Sequence, residues 1–197
     1  MLHFMYGVMG SSKTAQLLMQ RYNLQQLGLK VAVVKPAIDT RAGADIVFSR
    51  VGLQAEAEIV LESHHSIKEQ LMWLAVQKAH HGFRFVLVDE AQFLSTNQVQ
   101  ELADMAKDLE IYCYGLRTDF SGNFFEGSAA LLRLAEDIQE VPGGLCWCGK
   151  RATMNARIDS TGKVIKEGEQ VLIDNQIDIK YIGLCYEHWR EGISRGD

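Results

Sequence analysis

Short apolar runs alternate with stretches of helical spacing through the first two-thirds of this 197-residue chain. The runs cover residues 2–6, 31–34, 83–88 and 111–114, with 57–61 as a further candidate, and they read as buried strands. Between them, residues 14–27 place Leu17, Leu18 and Tyr22 at helical spacing and stop at Gly28. Ser66-Ile-Lys-Glu69 and Ser95-Thr-Asn-Gln98 have the capping-box pattern, which satisfies orphan amide donors at a helix start. They predict helices running to about His80 and about Ala106, and residues 131–135 belong to a further short helix. Strand and helix in alternation imply parallel strands, because a parallel neighbour is reached only by a crossover, usually helical. The expected fold class is therefore α/β, a mainly parallel sheet flanked by helices. Ligands in such sheets sit beyond the C-terminal ends of the strands. Three segments fall there: the loop after Tyr6, the pair Asp89-Glu90, and the stretch after Tyr114.

The pattern changes near Pro142-Gly143-Gly144, after which the chain is turn-rich and bears most of its cysteines. Two domains are expected, 1–142 and a smaller one over 143–197, with residues 159–163 forming a turn between two strands of the latter. A formal charge of −5 argues against nucleic acid as a bulk partner, since phosphate-backbone binders usually carry a basic surplus. The start of the chain lacks a basic leader, and no apolar run approaches the length of a membrane span, so a cytoplasmic protein with no membrane partner is expected.

The first strand runs into Gly7-Val8-Met9-Gly10-Ser11-Ser12-Lys13-Thr14. A phosphate-binding loop has Gly, four residues, Gly, Lys, then Ser or Thr; here Ser12 stands at the second glycine position. In such a loop the backbone amides wrap an anionic phosphate, the lysine reaches the outer phosphates, and the hydroxyl binds Mg²⁺. Alone, this stretch is also compatible with a strand-to-helix turn that binds nothing. The run Phe85-Val-Leu-Val88 ending on Asp89 adds the second half of a nucleotide site, a carboxylate delivered by a buried strand to the metal shell. Glu90 beside it suits a general base, or else a solvated loop carboxylate.

Cys146-Trp-Cys148 and Cys185-Tyr-Glu-His188 form two ligand pairs separated by a long excursion. Four sulfur and nitrogen ligands suit tetrahedral zinc with no open position, hence a structural role. The first pair is shorter than the common Cys-x-x-Cys. Cys113, inside an apolar run, reads as a buried inert thiol.

Taken together, Gly7 to Thr14, Asp89-Glu-Ala-Gln-Phe93, Tyr114-Gly-Leu-Arg-Thr-Asp-Phe120, Gly168-Glu-Gln-Val171 and Tyr181 before Cys185 resemble the motifs of the type II thymidine kinases. That family has a phosphate-loop core and a zinc-bearing lasso domain, and the resemblance covers essentially the whole chain. It implies transfer of the γ-phosphate of ATP to the 5′-hydroxyl of thymidine, with deoxyuridine as a second substrate. It further implies that Lys13, Thr14 and Asp89 serve ATP and Mg²⁺, with Arg41 near the phosphates, and that Glu90 is the base. Met9, Gln92, Phe93, Leu116, Phe120 and Tyr181 would contact the nucleoside, and Cys146, Cys148, Cys185 and His188 would hold Zn²⁺. A homotetramer and feedback inhibition by thymidine triphosphate follow from the same resemblance. The chain departs from the family at Ser12 and in Leu172-Ile-Asp-Asn-Gln-Ile-Asp-Ile-Lys-Tyr181, which lacks the usual Gly-Gly. These departures leave open a nucleotide-sensing relative with weakened catalysis, a kinase for another deoxynucleoside, or a simple ATPase.

Overall fold

Alternate residues of the central strands enter two different apolar layers. Leu2 and Phe4, Ala32 and Val34, Val86 and Val88, Ile111 and Cys113 face one. Val31 and Val33, Leu87 and Tyr114 face the other. Both faces of the sheet are covered, which is why these strands read as continuous apolar runs rather than alternating ones. A computed structural model describes residues 1–40, 43–77, 82–171 and 179–195 of the chain. The N-terminal two-thirds runs β1 (Leu2–Tyr6), α1 (Lys13–Gln26), β2 (Val31–Pro36), β3 (Ile46–Phe48), β4 (Gln54–Glu56), β5 (Ile59–Leu61), α2 (Ile67–Val76) and β6 (Phe85–Val88). A single 3-10 turn over Ala91–Phe93 precedes α3 (Thr96–Met105), β7 (Glu110–Gly115), α4 (Glu126–Leu134) and β8 (Asp137–Glu140). The rest is β9 (Met154–Ile158), β10 (Val164–Ile165), β11 (Lys180–Leu184) and α5 (Tyr186–Glu191).

Six strands form one sheet in the order β5-β2-β6-β7-β1-β8, and every pairing in it is parallel. The expected α/β class with a mainly parallel sheet is what the chain adopts. Helices α2, α3 and α4 supply the first apolar layer through Leu71, Leu102 and Leu131, all fully buried. Helix α1 supplies the second through Leu17 and Leu18. Burying one such leucine is worth about 1.5–3 kcal/mol, so the sheet is the stable frame from which the loops project.

Helix boundaries follow local chemistry. Ser95 and Gln98 make both halves of the expected capping box at the start of α3. At α2 the Ser66 side chain accepts from the Glu69 amide, and Glu101 of α3 accepts from both the Ser66 hydroxyl and the Lys68 amide. Helix α2 ends at Val76 rather than near His80, because Gln77 turns extended with ψ 134; residues 78–81 lie outside the described ones. Helix α4 starts at Glu126, five residues before the expected short helix. Gly127 explains the hidden first turn: a Cβ there would come within 2.6–2.9 Å of the carbonyl oxygens of Ala91, Leu94 and Gln92. Only a glycine lets α4 approach that turn so closely. Strand β8 and the β3–β4 hairpin are additions to the sequence reading. Strand β8 is an edge strand of sequence Asp-Ile-Gln-Glu, with no apolar run to mark it.

A second, antiparallel sheet has the order β10-β9-β11. The expected turn over 159–163 joins β9 to β10, with the Asp159 carboxylate accepting from the Thr161 and Lys163 amides. Its core is small: Cys146, Ala156, Val164, Leu184 and Cys185. Among the described residues, no helix is long and apolar enough to cross a membrane.

Candidate active site

The loop after β1 is shaped by close approaches that larger residues would prevent. The Gly7 amide donates to Gly115 O at 3.2 Å, tying the loop to the end of β7. A Cβ at Gly7 would collide with Ser11 Oγ, and that hydroxyl donates to Val8 O at 2.8 Å. Lys13 Nζ folds across the loop, donating to Gly7 O at 3.1 Å and Val8 O at 2.8 Å. Ser12 has φ 64 and ψ 25, the left-handed conformation, and caps α1 without a side-chain bond. The loop thus keeps the turn that glycine usually makes at this position. A side chain there costs roughly 1–2 kcal/mol, because Cβ crowds the following carbonyl.

Asp89 follows β6 and is buried at 4 % exposure. Thr14 Oγ1 donates to it, 3.2 Å from one carboxylate oxygen and 3.1 Å from the other. Burial, and then the neighbouring Glu90 carboxylate, push Asp89 up to about 7; the Thr14 hydroxyl, the Glu90 amide and Lys13 pull the other way. The hydroxyl and the carboxylate are the oxygen donors a divalent cation takes, and a cation there would favour the ionised carboxylate.

Glu90 has φ 48 and ψ 39. It and Ser12 are the only non-glycine residues at positive φ among the described residues. Backbone strain of this kind concentrates where a side chain must be aimed. Gln92, 1 % exposed, holds the aim: its Nε2 donates to Glu90 Oε2 at 2.5 Å, and its Oε1 accepts from the Leu116 amide at 3.0 Å. Gly115 makes room, since a Cβ there would lie 2.9 Å from Gln92 Oε1. The geometry turns Gln92 toward the glutamate and the backbone.

Met9, Gly10, Ser12, Lys13, Thr14, Glu90 and Leu116 line one cleft. The β3–β4 turn, Phe48 to Val51, lines the same cleft and so puts Arg50 in it. Sequence reasoning passed over Arg50. The available signal was Ser49-Arg-Val-Gly52 between two short runs, and Gly52 does take φ 89 in a tight turn whose amide donates to Ser49 O at 2.8 Å. Arg41 and residues 172–178 of the expected lasso lie outside the described residues.

Phe93, Phe120 and Tyr181 do not line this cleft. Phe93 meets Phe125 edge-on, with centroids 5.7 Å apart. Phe120 and Tyr181 are joined by a residue the sequence did not flag. Arg157 is 2 % exposed, and its guanidinium lies 3.6 Å from the Phe120 ring centroid. It donates to Tyr181 Oη at 2.9 Å and to Glu169 O at 2.8 Å. A stacked, hydrogen-bonded guanidinium tolerates burial better than an ammonium, being more weakly hydrated.

Cys146, Cys148, Cys185 and His188 converge so that their ligand atoms all lie within 4.8 Å of one another. His188 Nδ1 is 3.3 Å from Cys146 Sγ and 3.4 Å from Cys185 Sγ. Zinc–ligand bonds of about 2.0–2.3 Å in a tetrahedron separate neighbouring donors by roughly 3.5–3.8 Å, so the cluster fits that ion. The short Cys-x-Cys pair works because the chain closes tightly around it: Gly149, at φ 82, donates to Cys146 O, and the Cys146 amide donates to Lys150 O. Burial pushes the Cys146 thiol up, but amides of Cys148 and Cys185 and the His188 ring outweigh it, leaving it lowered to about 6. Trp147 stacks on His188 at 4.2 Å, and Trp189 donates to Phe120 O at 2.9 Å. Buried Cys113 is remote from this cluster in sequence, and burial pushes its thiol up.

A phosphate loop and a buried aspartate at the C-terminal edge of a parallel sheet define the phosphate-loop nucleotide-binding class, here with a Cys₃His cluster beyond the sheet that could hold a metal ion. The family model described as thymidine kinase matches residues 1–189. A thymidine kinase of Enterobacteria phage T4 is 42 % identical over 192 residues, covering 96 % of this chain and 95 % of its own. One from Vibrio vulnificus (strain CMCP6) is 39 % identical over 196 residues, covering 98 % of each. One from Shewanella oneidensis is 40 % identical over 194 residues, covering 98 % of this chain and 97 % of its own. The chain belongs to the thymidine kinase family.

Proposed function

We propose that this protein is an ATP-dependent thymidine kinase, moving the γ-phosphoryl group of ATP to the 5′-oxygen of thymidine, with deoxyuridine as a second substrate. The observation that carries the reading is the meeting of Lys13, Thr14, Asp89 and Glu90 at one sheet edge within this family's chain. Phosphoryl transfer needs little covalent help from protein; it needs positioning and neutralised charge. The amides of residues 10–14 and Lys13 cradle the donor phosphates, and Arg50 and Arg41 add positive charge beside them. Thr14 and Asp89 hold Mg²⁺, which supplies charge neutralisation when bound. Glu90, held by Gln92, takes the proton of the 5′-hydroxyl as it attacks. Met9 and Leu116 line the cleft; family membership supports Gln92, Phe93, Phe120 and Tyr181 as further nucleoside contacts, since the apolar faces of a base suit planar aromatic neighbours.

In this reading residues 1–142 form the kinase domain and 143–197 a lasso domain built on structural zinc. The zinc supplies fold stability and no chemical step, because four protein ligands close its shell. Family membership supports a homotetramer, inhibition by thymidine triphosphate, and a cytoplasmic place in nucleotide salvage for DNA synthesis. The test is thymidine monophosphate formation from thymidine and ATP with Mg²⁺, using folded, zinc-loaded protein. No product, beside an active control kinase, would overturn the proposal.

A further inference from the structure

Asn155 is the second residue of β9 and is 3 % exposed. Its Oδ1 accepts from the Met9 amide of the phosphate loop at 2.8 Å. Its Nδ2 donates to Thr118 O, in the segment leading to Phe120, at 2.7 Å. A backbone amide can only donate and a carbonyl can only accept, so the two partners fix the orientation of the side-chain amide. Aspartate could serve the first and not the second; leucine, of similar volume, could serve neither.

The contact has a companion on the same rung of the small sheet. Asn155 pairs with Gly183 of β11, and a Cβ at Gly183 would lie 3.1 Å from Val8 Cγ2. Gly144 faces the same Val8 methyl so closely that a Cβ would collide with it. Val8 is thus wedged between two glycines while its neighbour Met9 is pinned by Asn155. The next residue, Gly10, turns at φ 81 with nothing near its absent Cβ. The loop is therefore held on one side and open on the other, and the pin stands where it turns into the cradle.

We propose that Asn155 is a positioning residue, through which the zinc-bearing sheet sets the phosphate loop relative to the segment beside the nucleoside. The inference rests on the kinase reading for the identity of the two ligands. It assigns Asn155 no contact with the reacting atoms. Loss of the Met9 bond releases the loop, and loss of the Thr118 bond releases the base-side segment. The two ligands should therefore respond differently to two substitutions.

The test is calorimetric binding of Mg·ATP and of thymidine, measured separately, with zinc content determined for each protein. Asn155→Leu should weaken both ligands by about tenfold, since the Met9 amide and the Thr118 carbonyl each lose a buried partner, while zinc stays bound. Asn155→Asp keeps the bond to Met9, so Mg·ATP should bind within about threefold of wild type while thymidine weakens by about tenfold. Equal losses for both ligands in the Asp variant would overturn the proposal, and so would wild-type affinities in a folded Leu variant. If the Leu variant does not fold, the split in the Asp variant decides the matter. Failure of the kinase reading would appear separately, as absence of thymidine binding in the wild type, and Mg·ATP affinity would still decide whether Asn155 pins the loop.

Discussion

The parallel sheet and the small antiparallel sheet meet at the loop after β1, where Asn155 of β9 accepts from the Met9 amide, but they are held together by different forces. The parallel sheet has apolar layers on both faces, lined by residues such as Phe4, Leu71, Leu87 and Leu102 with no exposure at all. The small sheet has a core of Cys146, Ala156, Val164, Leu184 and Cys185, and two of those are candidate metal ligands. So few apolar side chains cannot offset the conformational entropy of ordering the segment, and small folds in this position usually borrow a metal. Damage should accordingly show itself in different ways: as lost chemistry at the edge of the large sheet, and as lost order in the small one.

The largest expected effect tests the first half of that division. Glu90→Gln should lower thymidine turnover by about 10²–10⁴-fold, the usual worth of a general base, with thermal stability close to wild type. Steady-state rates alongside a melting curve check this. Undiminished turnover would remove Glu90 from the reaction, and a collapsed melting curve would make it a part of the frame.

Zinc removal tests the other half. Chelation, or Cys148→Ser, should strip amide-exchange protection from β9 to β11 while β1, β2, β6 and β7 keep theirs. Loss of protection in both sheets together would show that the division between them is wrong. A smaller effect is expected at the cleft wall. Arg50→Ala should raise the KM for ATP by roughly fivefold, about 1 kcal/mol for a charge-assisted contact from an exposed arginine, with the KM for thymidine little changed. Equal KM values for ATP in variant and wild type would leave the β3–β4 turn outside the phosphate site.

The smallest change concerns a single backbone angle. Ser12→Gly should stabilise the folded chain by about 1 kcal/mol, the relief of a left-handed Cβ, seen as a shift of the denaturation midpoint. Turnover should stay within threefold of wild type. A large rise in rate would mean that the Ser12 side chain obstructs the phosphates, and that the sequence departure is functional after all.

Much of the large sheet was legible because its strands are covered on both faces and leave uninterrupted apolar runs. The phosphate loop was legible because the glycines and Lys13-Thr14 have physical duties that few other residues perform. Strand β8 escaped because an edge strand needs no apolar run, and its Asp137, Gln139 and Glu140 look like loop residues. The first turn of α4 escaped because Gly127, a poor helix former, is required there by carbonyl oxygens distant in sequence. Arg157 and Asn155 escaped for a deeper reason. Each is a polar residue in an otherwise ordinary strand, and its partners lie twelve to more than a hundred residues away. Only the fold tells a buried polar hub from a solvated side chain.

The placement of the tryptophans has a practical consequence. The chain has three. Trp73 is on the outer face of α2, 61 % exposed; Trp147 lies against His188; and Trp189 is bonded to the Phe120 carbonyl. The molecule therefore carries its own optical gauges, one at the Cys₃His cluster and one at the Phe120 segment. With Trp73 replaced by phenylalanine, intrinsic emission would follow metal loading and nucleoside arrival in real time, without any attached dye.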